Sequence, residues 1–178
     1  MAAYQGAGRG LIPHFTEVDA LGDVIQAMPN THGHILVDGF HGAGKSTLAR
    51  ALGSRLNLPV LEADNLVKRQ IRGVSDRYID TLDQLALRAK LLSLASCVVD
   101  GVSALDIADA VPIAVKAHIY IKHLDRHGDW SDADEVELEN EIDRFARPSA
   151  LRVCLRRYHA SRAPHLICDA IFLRQDTE

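Results

Sequence analysis

The segment from His34 to Leu58 constrains the fold more than any other part of the chain. It reads His34-Ile-Leu-Val-Asp-Gly39, then Phe40-His41-Gly42-Ala43-Gly44-Lys45-Ser46-Thr47, then a run with Leu48, Leu52 and Leu56 on one helical face before Pro59. A short apolar run closed by glycine predicts a buried strand, and the leucine spacing predicts a helix that proline ends. The joint between them fits GxxxxGK[ST] between strand and helix, the setting in which that pattern carries a mechanism. Glycines 39, 42 and 44 let the backbone wrap so that several N–H groups converge at the positive end of a helix, which makes a nest for phosphate oxygens. Gly39, His41, Gly42, Ala43, Gly44, Lys45, Ser46 and Thr47 are therefore the expected nucleotide-binding residues. Lys45 is expected to reach the β and γ phosphates, Ser46 to offer a hydroxyl to Mg²⁺, and Thr47 to meet the α-phosphate. His41 either touches the nucleotide or is a spectator of the loop.

The rest of the chain alternates in the same way. Thr16–Met28 carries Val18, Leu21, Ile25 and Met28 at helical spacing, with Thr16 and Asp19 as candidate caps. Pro59–Asp64, Ser96–Gly101, Ala117–Ile121 and Ala170–Leu173 read as further strands. Thr81 with Gln84 has capping-box spacing ahead of a leucine-rich helix to Ala95, whose apolar circumference predicts deep burial. Alternating strands and helices imply a five-stranded parallel sheet covered on both faces, a three-layer α/β/α domain spanning residues 1–178. The long insertion after the fourth strand, about residues 122–150, holds a turn, an acidic run read as a solvated helix and, past Pro148, the start of a basic helix. It is the natural place for a mobile lid.

Composition narrows the partners. The 178 residues carry 20 basic and 24 acidic side chains, a formal charge of −4, which argues against a duplex-DNA binder and for a small-molecule partner. There is no apolar run of membrane-spanning length and no signal-peptide core in MAAYQGAGRG, so a cytoplasmic protein with no membrane or nucleic-acid partner is expected. Cys97, Cys154 and Cys168 form no CxxC pair and read as buried thiols.

Two acids complete the expected site. Val98-Val99-Asp100-Gly101 places Asp100 at the carboxyl edge of the sheet, where it either holds Mg²⁺ or simply ends a strand. Asp64, at the end of the second strand of the alternation, either faces an acceptor oxygen as general base or caps the next segment. Water exclusion during phosphoryl transfer calls for an arginine-bearing cover. The insertion and its flank offer Arg126, Arg144, Arg147 and Arg152, with Arg147 the first choice. Lys68, Arg69 and Arg72 can share part of a helical face suited to an acceptor carboxylate or phosphate, or form a solvated cluster. His123 and His127 have the spacing of a helical metal pair but lack a third ligand. Trp130 stacks on a base or anchors the cover.

DGFHGAGKSTLARAL, LEAD, VVDG and RYHASRAPHLICDAIF together resemble the P-loop small-molecule kinases, closest to the uridine kinase-like branch and more distantly shikimate and gluconate kinases. The resemblance implies the P-loop NTPase fold and transfer of the γ-phosphate of Mg-ATP to a hydroxyl of a small molecule such as a nucleoside, sugar or hydroxy acid. It assigns Asp64 to the acceptor hydroxyl and Asp100 to the metal. Three departures accompany it: Asp100 stands where uridine kinase-like proteins often carry Glu, their aromatic pair after the acceptor Asp is missing from Asp64-Asn65-Leu66, and the sequence ends soon after the last strand, where relatives continue into an adenine-holding segment. No NKxD segment supports a GTPase. A nucleotide-binding regulatory protein or NTPase without a small-molecule acceptor is the alternative.

Overall fold

The computed structural model describes residues 11–29, 32–69, 77–137 and 149–175. In chain order its elements are β1 (His14–Phe15), α1 (Val18–Ala27), β2 (His34–Gly39), α2 (Lys45–Leu56), β3 (Val60–Glu62), 3₁₀ turns at Ala63–Leu66 and Tyr78–Thr81, α3 (Gln84–Ser93), β4 (Val98–Asp100), α4 (Ala104–Ala110), β5 (Val115–Leu124), α5 (Ala133–Glu137), α6 (Ala150–Arg162), α7 (Pro164–Ile167) and β6 (Ala170–Gln175). The strands form one sheet in the order β1-β6-β5-β2-β4-β3, with every neighbouring pair parallel. The sheet has six strands rather than the expected five. The addition, β1, is two residues long and lies against β6, too short to show a period in sequence.

Side chains of β2 and β5 alternate between two cores. Ile35, Val37, Ala117, Ile119 and Ile121 pack with Leu21 and Ile25 of α1 and Leu48, Ala49 and Leu52 of α2. On the other face, Leu36 and Val99 meet Leu87 and Leu91 of α3, Leu105 and Ile107 of α4, and Leu155 and Tyr158 of α6. Burial of each large aliphatic side chain contributes roughly 1.5–3 kcal/mol, so both helical layers are held by apolar area. Cys97, Cys154 and Cys168 are buried free thiols, as expected.

Several local expectations change. Helix α1 begins after Glu17 rather than after a Thr16 cap. Helix α3 is capped by Asp83, which accepts from the Ala86 amide, while the Thr81 hydroxyl donates to the Tyr78 carbonyl. Deep burial of α3 does not occur: only Leu87 and Leu91 are buried and Leu85 is 81% exposed, because a helix on the outer layer meets the sheet with one stripe alone. Strand β5 runs to Leu124 in register with β6, so residues 122–124 belong to the sheet and not to a lid. Beyond it, the Asp125 carboxylate accepts from the amides of His127 and Asp129, and Trp130 bridges back to Leu124. The described part of the acidic run is α5, whose Glu135 pairs with Arg152 and Arg156 of α6 and whose Val136 is buried, so its inner side is packed rather than solvated. Arg144 and Arg147, the latter the first choice for a lid arginine, lie outside the described residues. No helix among the described residues is long and apolar enough to cross a membrane.

Candidate active site

Parallel pairing brings the carboxyl ends of β2, β3 and β4 to one sheet edge. Val37 is level with Asp100, and Glu62 of β3 is level with Asp100 from the other side. The loop that follows β2 turns through Gly42 (φ +86°) and Gly44 (φ +97°), with Gly44 as the left-handed residue before α2. Positive φ is costly for any residue with a Cβ. At Gly42 an added Cβ would meet nothing within 4 Å, whereas at Gly44 it would meet the Arg174 side chain, which donates to the Gly42 carbonyl at 3.3 Å. Helix α2 has no side-chain cap and no acid in its first turn, which leaves its positive end available to an anion.

Lys45, the first residue of α2, folds back over the loop and donates from Nζ to the Phe40 carbonyl at 2.7 Å. It is 7% exposed. Burial holds its pKa below the usual lysine value, opposed by the charges of Asp100, Asp38, Asp64 and Asp132. One ammonium group therefore sits within the field of four carboxylates.

Asp100, at the end of β4, is buried and accepts a hydrogen bond from the Ser46 side chain. Burial raises its pKa, with the negative charges of Asp64 and Glu62 acting in the same direction; Ser46 and Lys45 oppose them. A carboxylate and a hydroxyl held together, crowded by further acids, form a hard oxygen donor set that fits Mg²⁺. Asp64 is the second residue of the 3₁₀ turn after β3, where its carboxylate is exposed and accepts the Tyr78 hydroxyl at Oδ1. Burial and the neighbouring Asp64 raise the Tyr78 pKa, so the phenol stays a donor. The structure thus brings Lys45, Ser46, Asp64 and Asp100 to one place. His41 and Thr47 are exposed along the loop and helix start, and Ala43 is buried beneath them.

Other candidates fall elsewhere. Lys68 and Arg69 are not helical: their amides donate to the Thr81 carbonyl, and Lys68 pairs with Asp83 at 3.0 Å. Arg72 lies outside the described residues. His123 is on β5 and His127 in the following turn, so they share no helical face, and no cluster of metal-ligating side chains occurs among the described residues. Arg126 donates to His127 and Arg152 pairs with Glu135. Trp130 sits edge-on to Tyr120 under Lys122, as an anchor would.

Sequence reasoning missed a buried polar network directly under the loop. Asp38 is fully buried; it accepts from the Gly39 amide at 2.7 Å and from the Tyr158 hydroxyl, and its Oδ2 lies 3.4 Å from His118 Nε2. Burial alone would raise its pKa, but the adjacent His118 and the Tyr158 hydroxyl together lower it. His159 donates from Nδ1 to the Leu155 carbonyl at 2.8 Å, so its Nε2 accepts from the Tyr120 hydroxyl at 3.0 Å. Burial lowers the His159 pKa, which keeps that tautomer neutral. The one signal in sequence was a carboxylate inside an otherwise apolar strand, a group that burial forces to find partners.

No protein-family model matches the sequence. In structure the chain is similar to a possible uridine kinase from Bacillus stearothermophilus, with a TM-score of 0.55 and 14% identity over 87% of this chain and 96% of that one. It is also similar to a provisionally assigned fructose transport system kinase from Silicibacter sp. TM1040, with a TM-score of 0.47 and 16% identity over 90% of this chain and all of that one. The first likeness shows a P-loop kinase-like fold.

Proposed function

We propose that the chain is an ATP-dependent phosphotransferase that moves the γ-phosphate of Mg-ATP to a hydroxyl of a small molecule. The observation that carries this reading is the convergence of Lys45, Ser46, Asp100 and a tyrosine-held Asp64 at one sheet edge beside the glycine-rich loop. A site for binding alone has no use for Asp64. Loop amides 39–47 and Lys45 would hold the polyphosphate, and Ser46 with Asp100 would hold Mg²⁺. When bound, Mg²⁺ neutralises charge on the β and γ phosphates. Tyr78 occupies Oδ1 of Asp64, which fixes the carboxylate and leaves its second oxygen to orient the acceptor hydroxyl and take its proton. The net charge of −4 supports a small-molecule partner rather than nucleic acid, and the reading places the chain in the cytoplasm without a membrane partner.

The experiment is an ADP-release screen over nucleosides, sugars and hydroxy acids, run on wild type and Asp64→Asn. Acceptor-dependent turnover that falls by about 10²–10⁴ in Asp64→Asn, with nucleotide affinity retained, is expected. Acceptor-independent turnover unchanged by Asp64→Asn would instead assign the chain to nucleotide-binding regulatory proteins.

A further inference from the structure

A cavity of about 260 Å³ opens on the α4–α6 face of the sheet, lined in part by Tyr78, Ser103, Asp106, Arg157 and Tyr158. Two of these are tyrosines already described: Tyr78, which holds Asp64 of the candidate site, and Tyr158, which holds Asp38 beneath the loop. The cavity and the candidate active site therefore share walls. Its size falls below the ~300–1,000 Å³ of drug-sized ligand sites, which suits one compact polar molecule.

Ser103 is the telling residue. It occupies the N-cap position of α4 yet makes no capping hydrogen bond. The cap is supplied from another helix: the Tyr158 hydroxyl accepts from the Leu105 amide at 3.3 Å. Released from that duty, the Ser103 side chain is 1% exposed and its Oγ has no hydrogen-bond partner. A buried hydroxyl left unpaired costs roughly 1–3 kcal/mol, a cost that a ligand oxygen in the cavity would remove.

The charged lining adds a second preference. Arg77 and Arg162 reach the cavity beside Arg157. Arg77 pairs with Asp80 at 3.0 Å and Arg162 with Asp109 at 2.5 Å, both at the surface. Exposed pairs of this kind are worth about 0–1 kcal/mol, and each guanidinium carries five N–H donors, so an incoming oxyanion can recruit them. Asp106, 3.7 Å from Arg162, is an acceptor for ligand hydroxyl groups.

We propose that this cavity binds a small hydroxylated oxyanion, a sugar acid or sugar phosphate, with the arginines on the anionic end and Ser103 and Asp106 on its hydroxyls. That this molecule is the phosphoryl acceptor rests on the phosphotransfer reading; its binding does not. The test is calorimetric titration of the full chain, without nucleotide, with D-gluconate, D-glucose 6-phosphate, D-glucose and uridine. At least one anion binds, D-glucose and uridine bind at least tenfold more weakly, Arg157→Ala weakens the anion about tenfold and Ser103→Ala about fivefold. Unchanged melting temperatures show that both variants fold, and an anion held at the glycine-rich loop would not respond to either. The proposal is overturned if a neutral probe binds as tightly as the anions, if both variants leave anion affinity unchanged, or if neither anion binds at about 10 mM. Anion binding without ADP release upholds the cavity and removes the bound anion as phosphoryl acceptor; ADP release with uridine, and no anion binding, upholds the phosphotransfer reading and overturns the cavity.

Discussion

Replacing Tyr158 by Phe removes one oxygen and breaks two buried hydrogen bonds at once. The hydroxyl donates to Asp38, which is fully buried, and accepts from Leu105 at 3.3 Å. A hydrogen bond to a charged group is worth about 1.5–3 kcal/mol, and loss of a helix cap costs about 1 kcal/mol, so the variant should lose about 3 kcal/mol. With a urea slope of about 2 kcal/mol per molar, the unfolding midpoint falls by about 1.5 M. A double-mutant cycle with Asp38→Asn isolates the pair, with an expected coupling of about 1.5–3 kcal/mol. The sign with pH follows from the lowered pKa of Asp38. A depressed folded-state pKa contributes stability that is complete above the unfolded value of about 3.9 and is lost as pH falls through the lower folded value. The Tyr158→Phe deficit is therefore constant from neutral pH down to about 5 and shrinks below about 4. A deficit under about 1 kcal/mol at pH 7, or a coupling near zero, would refute the assignment of this network as the support under the loop.

Three further outcomes follow from the site. Gly42→Ala places a Cβ where φ is +86° and nothing lies within 4 Å, so stability should drop by only about 1–2 kcal/mol while the affinity for Mg-ATP falls at least about tenfold, read by calorimetry against urea unfolding. Lys45→Ala removes the ammonium that lies within the field of Asp38, Asp64, Asp100 and Asp132, so ADP release should fall by at least about tenfold without loss of fold by circular dichroism. Removal of divalent cations with EDTA should abolish ADP release, and Mg²⁺ should restore it in wild type but at least about tenfold less well in Asp100→Asn, as measured by a metal titration.

What could be read from sequence was whatever repeats at short range. The strand-loop-helix at 34–56, the leucine stripe of α2 and the run Val98-Val99-Asp100 each declare themselves within one continuous short segment, and the loop chemistry is confined to eight consecutive positions. β1 was invisible because two residues have no period, and α4 because seven residues after a glycine offer barely two turns. The polar network was invisible for a different reason. Asp38 and Tyr158 are 120 positions apart, and only the sheet order and the packing of α6 bring them together. Tyr78 reached Asp64 from 14 residues away, across a segment with no regular period to carry the chain back.

The two faces of the sheet divide the work. Under α1 and α2 the contacts of β2 and β5 are apolar throughout, from Ile35 and Val37 to Ile119 and Ile121, so the glycine-rich loop and the start of α2 rest on a close-packed base that resists displacement. One residue along each strand, the opposite face carries Asp38, His118 and Tyr120, all buried and joined to Tyr158 and His159 of α6. Polar partners must be placed within tenths of an ångström to offset their desolvation, which makes this face sensitive to small shifts of α6. Because Tyr158 also lines the cavity and caps α4, a shift of α6 reaches the cavity, the α4 terminus and Asp38 together. Conservative changes on the α1–α2 face should therefore act through stability alone, whereas equally conservative changes at Tyr158 or His159 should alter the site as well as the stability.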